Sequence, residues 1–320
     1  MSAPPPPSDS RPAAGSPAAS PALVLGGYLL AVFGGAALLA PWVWHGLQVL
    51  AGSWPALAGP AGQPFHRYVN RCLLVLALAG LWPLIRALRL RSWTEVGAVP
   101  GPAAARDARA GLAWGALSLA VVAALALAGG GRHLDPALSA ARLAPRLASA
   151  AASAGVVAVL EELLFRGVVF NARRRAGSFL SATLLSSLVY AMVHFFARPP
   201  RPGTVGPWSG FDTLASMLHG WVEFRQLVPG LLNLAVAGAC LALARERTGG
   251  LGFSIGLHAG WIFWLKTWLA FTRETPGANP WFWGTGRLVD GWLALPVLLA
   301  TLAFLHRRWP GRPPLPQGSP

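Results

Sequence analysis

Eight apolar stretches recur near residues 22–44, 68–88, 110–130, 147–170, 178–197, 228–244, 250–271 and 288–306. Each is long enough to cross about 30 Å of hydrocarbon. Inside lipid every backbone N–H and C=O must find its partner within the chain, and for segments of this length the helix is the form that does so. The expected fold class is therefore all-α, a polytopic transmembrane helix bundle of about eight spans. Composition agrees. The chain is 54% hydrophobic and only 12% charged, about half the charged fraction of ordinary soluble domains. A soluble enzyme, a disordered regulator and a disulfide scaffold are excluded on that arithmetic.

The net charge of +15 would suit a nucleic-acid partner if it gathered on one face. Here arginines punctuate the apolar runs instead, so no nucleic acid is expected and the charge reads as topology signalling. Arg86, Arg89, Arg91, Arg106 and Arg109 follow the second stretch, and Arg173, Arg174 and Arg175 the fourth. Arg245 and Arg247 follow the sixth, and Arg307 and Arg308 the eighth. Every even-numbered crossing ends in positive charge, so both termini are expected in the cytoplasm, against Arg132, Arg142, Arg146, Arg198, Arg201 and Arg225 on the other side. Lys266 is the one lysine, and Ala, Gly and Pro abound, a composition that fits a GC-rich bacterial genome and hence the inner cell membrane. Cys72 and Cys240 lie within apolar stretches and read as packing residues.

Five regions follow. Residues 1–21 form a Pro/Ala-rich tail that cannot bury a core. Residues 22–146 hold the first three spans, 147–271 a central unit, 272–306 the last span with its preceding loop, and 307–320 a second Pro-rich tail. Within the central unit, 198–210 is loop chemistry, and FDTLASMLHGWVEF after it reads as a short amphipathic helix lying in the membrane interface.

The central unit also carries charges where charges are expensive. An ionisable group at mid-span costs about 2.5–3.5 kcal/mol on insertion scales. The fourth stretch nevertheless holds Glu161, Glu162 and Arg166, the fifth His194 and the seventh His258. Glu162 and Arg166 are four residues apart, share a helix face and can pair. Glu161 points about 100° away, toward the face of Phe165, and needs a partner from another helix. His194 and His258 are the candidates, with Tyr190 one turn before His194 to pack on its ring or hydrogen-bond to it. At about 1.5 Å of rise per residue, Glu161 lies roughly 18 Å from Arg173. On the same count, His194 lies roughly 24 Å from Ser178 and His258 roughly 14 Å from Gly249. All three fall inside one bilayer. Buried carboxylates beside histidines are the material of proton transfer; the plainer reading is polar glue between helices.

Glu161-Glu162-x-x-x-Arg166, an aromatic-x-x-x-His ending at His194, and His258 in SIGLHAGW together resemble the CPBP intramembrane proteases. These are the CAAX-protease and bacteriocin-processing enzymes, related to the eukaryotic Ras-converting CAAX endoprotease. The similarity covers about residues 147–271. It implies a membrane endopeptidase with its site in an intramembrane cavity, hydrolysing a peptide or protein substrate, itself membrane-associated. Carried over motif by motif, Glu161 would activate the attacking water, His194 would orient and help deprotonate it, and His258 would stabilise the oxyanion. Glu162, Arg166 and Tyr190 would shape the site.

Two departures stand out. The family's usual Phe is here Tyr190, and its common Asn or Asp four residues after the third-motif histidine is here Ile262. Trp261 and Asn233 are the candidates to supply the missing donor. No metal cofactor is expected. Two histidines and a glutamate could make an open zinc site, so zinc is the alternative, but no HExxH places two ligands and a base on one helix turn. The rival functions are an inactive homologue acting as a membrane binding or assembly factor, and a proton-coupled transporter. The halves show none of the repeat symmetry common in transporters.

Overall fold

The computed structural model describes residues 21–90, 92–137, 139–194, 203–217 and 224–309. The first tail up to Ser20, Arg91, Arg198, Arg201, and the second tail from Pro310 onward lie outside the described residues. The described residues are mostly helical. Helix α1 (Pro21–Ser53) is followed by a 3-10 turn (Pro55–Leu57), a four-residue helix α2 (Ala58–Ala61), α3 (Phe65–Ala87) and α4 (Pro102–Ala128). Then come strand β1 (Arg132–Leu134), α5 (Ala140–Glu162), a π-helical segment (Leu163–Phe170), α6 (Asn171–Ala176) and α7 (Phe179–Val193). The remainder is α8 (Ser209–Met217), α9 (Phe224–Thr248), α10 (Gly252–Phe271), β2 (Thr272–Glu274), α11 (Pro280–Trp283) and α12 (Ala294–Arg308).

Helices form at all eight apolar stretches, although the lengths differ from expectation. Among the described residues, five are long and apolar enough to cross a membrane: Leu23–Ser53, Phe65–Ala87, Pro102–Ala128, Leu143–Ala176 and Leu227–Thr248. Helix α1, with 33 residues, is about 50 Å long and ends at Ser53 instead of near residue 44. Helix α7, with 15 residues, reaches only about 22 Å. The last helix starts at Ala294 rather than near 288. Asp290 holds the preceding turn open by accepting from the Thr285 amide (2.8 Å) and from the Thr285 hydroxyl. Leu30, Val75, Leu117, Val156, Leu184 and Leu188 stand exposed on the helix surfaces, the pattern of side chains that face lipid instead of water.

Helices α4 and α10 run parallel and make the tightest pair in the bundle. A Cβ added at Gly256 would overlap the Ala108 carbonyl, and one at Gly260 would lie 2.6 Å from the Ala116 nitrogen. Small residues let two backbones approach this closely, and dispersion then holds them without a hydrophobic drive in lipid. At their far ends the two helices are tied again by the β1–β2 ribbon, antiparallel with Arg132 opposite Glu274. Buried Arg132 donates to the Thr272 hydroxyl (2.9 Å) and to Glu274 (3.1 Å).

The expected interfacial helix is α8, and it packs on protein. Ser209, Gly210, Thr213 and Met217 are buried, and a Cβ at Gly210 would overlap the Ala37 carbonyl of α1. Residues 218–223 of that stretch lie outside the described residues. Helix α5 packs on α10, α7 packs on α9, and the π-helical segment bridges toward α7. This arrangement carries the charged residues of α5 to the histidines of α7 and α10.

Candidate active site

Helix α5 delivers two adjacent glutamates at its end, where the backbone widens into the eight-residue π-helical segment. Such wide turns are uncommon and recur at functional sites. Glu162 and Arg166 are both fully buried and pair at 3.0 Å, as their i,i+4 spacing predicts. The guanidinium also donates to the Gly238 carbonyl of α9 (3.2 Å) and lies over the Tyr190 ring, 4.6 Å from its centroid. The same Glu162 oxygen that receives Arg166 also receives Nδ1 of His258, at 3.0 Å. A carboxylate paired with arginine can only accept, so His258 carries its proton on Nδ1 and turns Nε2 inward.

Glu161 has the opposite surroundings. Its side chain is 27% exposed, and its Oε2 lies 3.6 Å from Nε2 of His194 and 3.6 Å from Nε2 of His258. Among the described residues no group donates to that oxygen, although the atom itself is shielded from solvent. His194 caps the end of α7. Its Nδ1 lies 2.7 Å from the Tyr190 carbonyl, which can only accept, so this histidine too is protonated on Nδ1 and presents Nε2 to Glu161. Three side chains from three helices thus converge, as the depth count along each helix anticipates.

Tyr190 sits among them. Its ring lies 4.5 Å from the His194 ring and 5.4 Å, edge-to-face, from Phe165. Its hydroxyl, however, reaches His258 Nε2 at 3.1 Å, so the hydrogen bond goes to the other histidine.

Two expected donors are spent elsewhere. The Trp261 indole N–H donates to Ser118 of α4 at 2.9 Å. The Asn233 amide donates to the carbonyls of Val289 and Gly291, both at 2.8 Å. Ile262, 8% exposed, packs against Ala154 and Ala158 of α5. Ser118 is a residue that sequence reasoning missed, because nothing local marks a serine on α4 as the partner of an indole 143 positions later. Among the described residues no group of three or more His, Cys, Asp or Glu side chains is disposed to hold a metal ion.

The arrangement can hold a water between two acceptors. At 3.6 Å, Glu161 Oε2 and a histidine Nε2 are too far apart to bond directly, and a water beside that line can donate to both. Its lone pair would then be free to attack. The family model described as Rce1-like, type II CAAX prenyl endopeptidase Rce1-like, matches residues 143–264, a stretch that contains every side chain of this cluster. No curated protein and no solved structure matches the chain.

Proposed function

From the membership of residues 143–264 in the Rce1-like family of type II CAAX prenyl endopeptidases, we propose that this membrane protein is an endopeptidase that attacks its substrate with a glutamate-activated water. The observation that carries the reading is Glu161 Oε2, undonated and 3.6 Å from the inward nitrogens of both His194 and His258. Glu161 takes a proton from the water as it adds to the scissile carbonyl. His194, locked by the Tyr190 carbonyl, orients that water through Nε2. His258, its ring held by Glu162 with Arg166, turns Nε2 toward Glu161 and the Tyr190 hydroxyl. The protonated Glu161 then returns its proton to the leaving amine, which balances the step.

The substrate is a peptide or protein segment at the membrane. Both termini of the chain lie in the cytoplasm, and the membrane is the inner cell membrane, on the arginine distribution and composition given above. The reading outranks an inactive binding factor because a purely structural Glu162–Arg166 lock has no use for a second carboxylate left open beside two histidines.

The test is purification in detergent and an initial-rate assay on a peptide library. Glu161→Gln keeps the side-chain shape and removes the base, so cleavage should vanish while the protein unfolds at the wild-type midpoint. Wild-type turnover by Glu161→Gln would sink the base role.

A further inference from the structure

We infer that the Tyr190 hydroxyl is the neutral hydrogen-bond donor that stabilises the oxyanion in this site. The inference rests on the endopeptidase reading and adds a role to a side chain which that reading uses only as packing.

A tetrahedral intermediate places a negative oxygen where the substrate carbonyl was, and catalysis needs donors aimed there in advance. The donors near Glu161 can be taken in turn. His258 gives its Nδ1 proton to Glu162 (3.0 Å), so its neutral form has only a lone pair on the inward nitrogen. His194 gives its Nδ1 proton to the Tyr190 carbonyl (2.7 Å) and likewise turns a lone pair inward. Arg166 spends Nη1 and Nη2 on Glu162 and Gly238, and its remaining Nε–H, though without an acceptor, is sealed in a side chain with 0% exposure. The indole of Trp261 and the amide of Asn233 are committed outside the cluster. Ile262, one turn after His258, has nothing to donate.

The Tyr190 hydroxyl remains. Its proton points at His258 Nε2, 3.1 Å away, the same nitrogen that lies 3.6 Å from Glu161. In the resting site that lone pair parks the proton. When a carbonyl enters and its oxygen gains charge, the oxyanion becomes the stronger acceptor, and the O–H swings to it with no other rearrangement. The rest of Tyr190 is held for such a purpose. The side chain is 3% exposed, clamped between the Arg166 guanidinium on its face and Phe165 at its edge. A fixed ring with one rotatable proton is a preorganised donor. Phenylalanine at this position would keep both ring contacts and lose only the donor.

The experiment compares Tyr190→Phe with wild type and Glu161→Gln in one detergent, on one cleavable peptide. Loss of an oxyanion donor lowers kcat about a hundredfold to a thousandfold. KM should stay near its wild-type value, and a phosphinic peptide that mimics the tetrahedral intermediate should lose affinity by a similar factor. The rate should fall equally across the pH profile. A hydroxyl that merely positions His258 would instead shift a limb of that profile and leave the phosphinic peptide's affinity intact, which would overturn the inference. Wild-type kcat for Tyr190→Phe, with Glu161→Gln still inactive, would also overturn it while leaving the endopeptidase reading in place. Activity in Glu161→Gln would remove both.

Discussion

Removing Arg166 should damage the fold more than removing any other charge in the chain. Its side chain is fully buried, and so is its partner Glu162. One Glu162 oxygen receives Arg166 and His258, each at 3.0 Å. Arg166→Ala strands that carboxylate with only the His258 N–H on it, opens the space under the Tyr190 ring, and takes a donor from the Gly238 carbonyl. Breaking a buried pair from one side costs about 3–5 kcal/mol, a large part of the roughly 5–15 kcal/mol that holds a typical fold. The pair itself is worth far less than its rupture, because both charges were desolvated to make it. Glu162→Gln combined with Arg166→Gln should therefore return about 2 kcal/mol or more of the loss. In that double variant the amide oxygen at position 162 can still accept the His258 proton, and the amide at position 166 can still reach a carbonyl acceptor. The assay is equilibrium unfolding in mixed micelles, with membrane accumulation by immunoblot as the cellular readout. Arg166→Ala unfolding at the wild-type midpoint, or a double variant no more stable than the single, would refute the buried-pair reasoning.

Two further outcomes follow from packing. Ile262→Asn buries an amide against Ala154 and Ala158 and should cost about 1–3 kcal/mol of stability. With Tyr190 as the donor, cleavage should stay level or fall, and a rise in initial rate would show that the oxyanion lacked one. Gly256→Ala should destabilise, because its Cβ would overlap the Ala108 carbonyl, whereas Gly155→Ala in α5 meets nothing within 4 Å and should stabilise by about 0.4–1 kcal/mol. Unfolding midpoints of the matched pair check the sign, and equal shifts would mean α4 and α10 are not in backbone contact.

The parts of this structure legible in the sequence are those governed by local geometry. Helix periodicity puts Glu162 and Arg166 on one face and Glu161 on another, and counting rise per residue puts three ionisable side chains within the interior of one bilayer. The spacing Gly252, Gly256 and Gly260 likewise carries the signal for close helix contact. What resisted reading depends on long-range partners. The π-helical segment LLFRGVVF has no propensity signature, since its hydrogen bonds differ from an ordinary helix by one residue. The route of the Tyr190 hydroxyl depends on where α10 sits relative to α7, and a residue four positions from His194 looks locally like a partner for that histidine. Helix α8 has the amphipathicity of an interfacial helix because protein and lipid reward the same apolar face, so only the contact at Ala37 distinguishes them.

Glu161 and Glu162 are neighbours in the chain, yet they have opposite environments, and that contrast is the strongest argument that the cluster is more than glue. If both served to lock helices, both should be paired to a donor, and each has one buried oxygen that no group donates to among the described residues, so the contrast lies in the other contacts. Glu162 carries a guanidinium and an imidazole N–H on its Oε1. Glu161 has no such cation, and the two nitrogens nearest its Oε2 are turned inward by the Nδ1 bonds to Glu162 and to the Tyr190 carbonyl. The His258 nitrogen already receives the Tyr190 hydroxyl proton, but Glu161 Oε2 and His194 Nε2 are two acceptors facing one another, unfavourable until something with protons to give stands between them. A water supplies two protons and a nucleophilic lone pair. The glutamate paired with Arg166 thus sets the ring of His258 through Oε1, and the one without a cation is left as the base, a division of labour that follows from a single 100° step along α5.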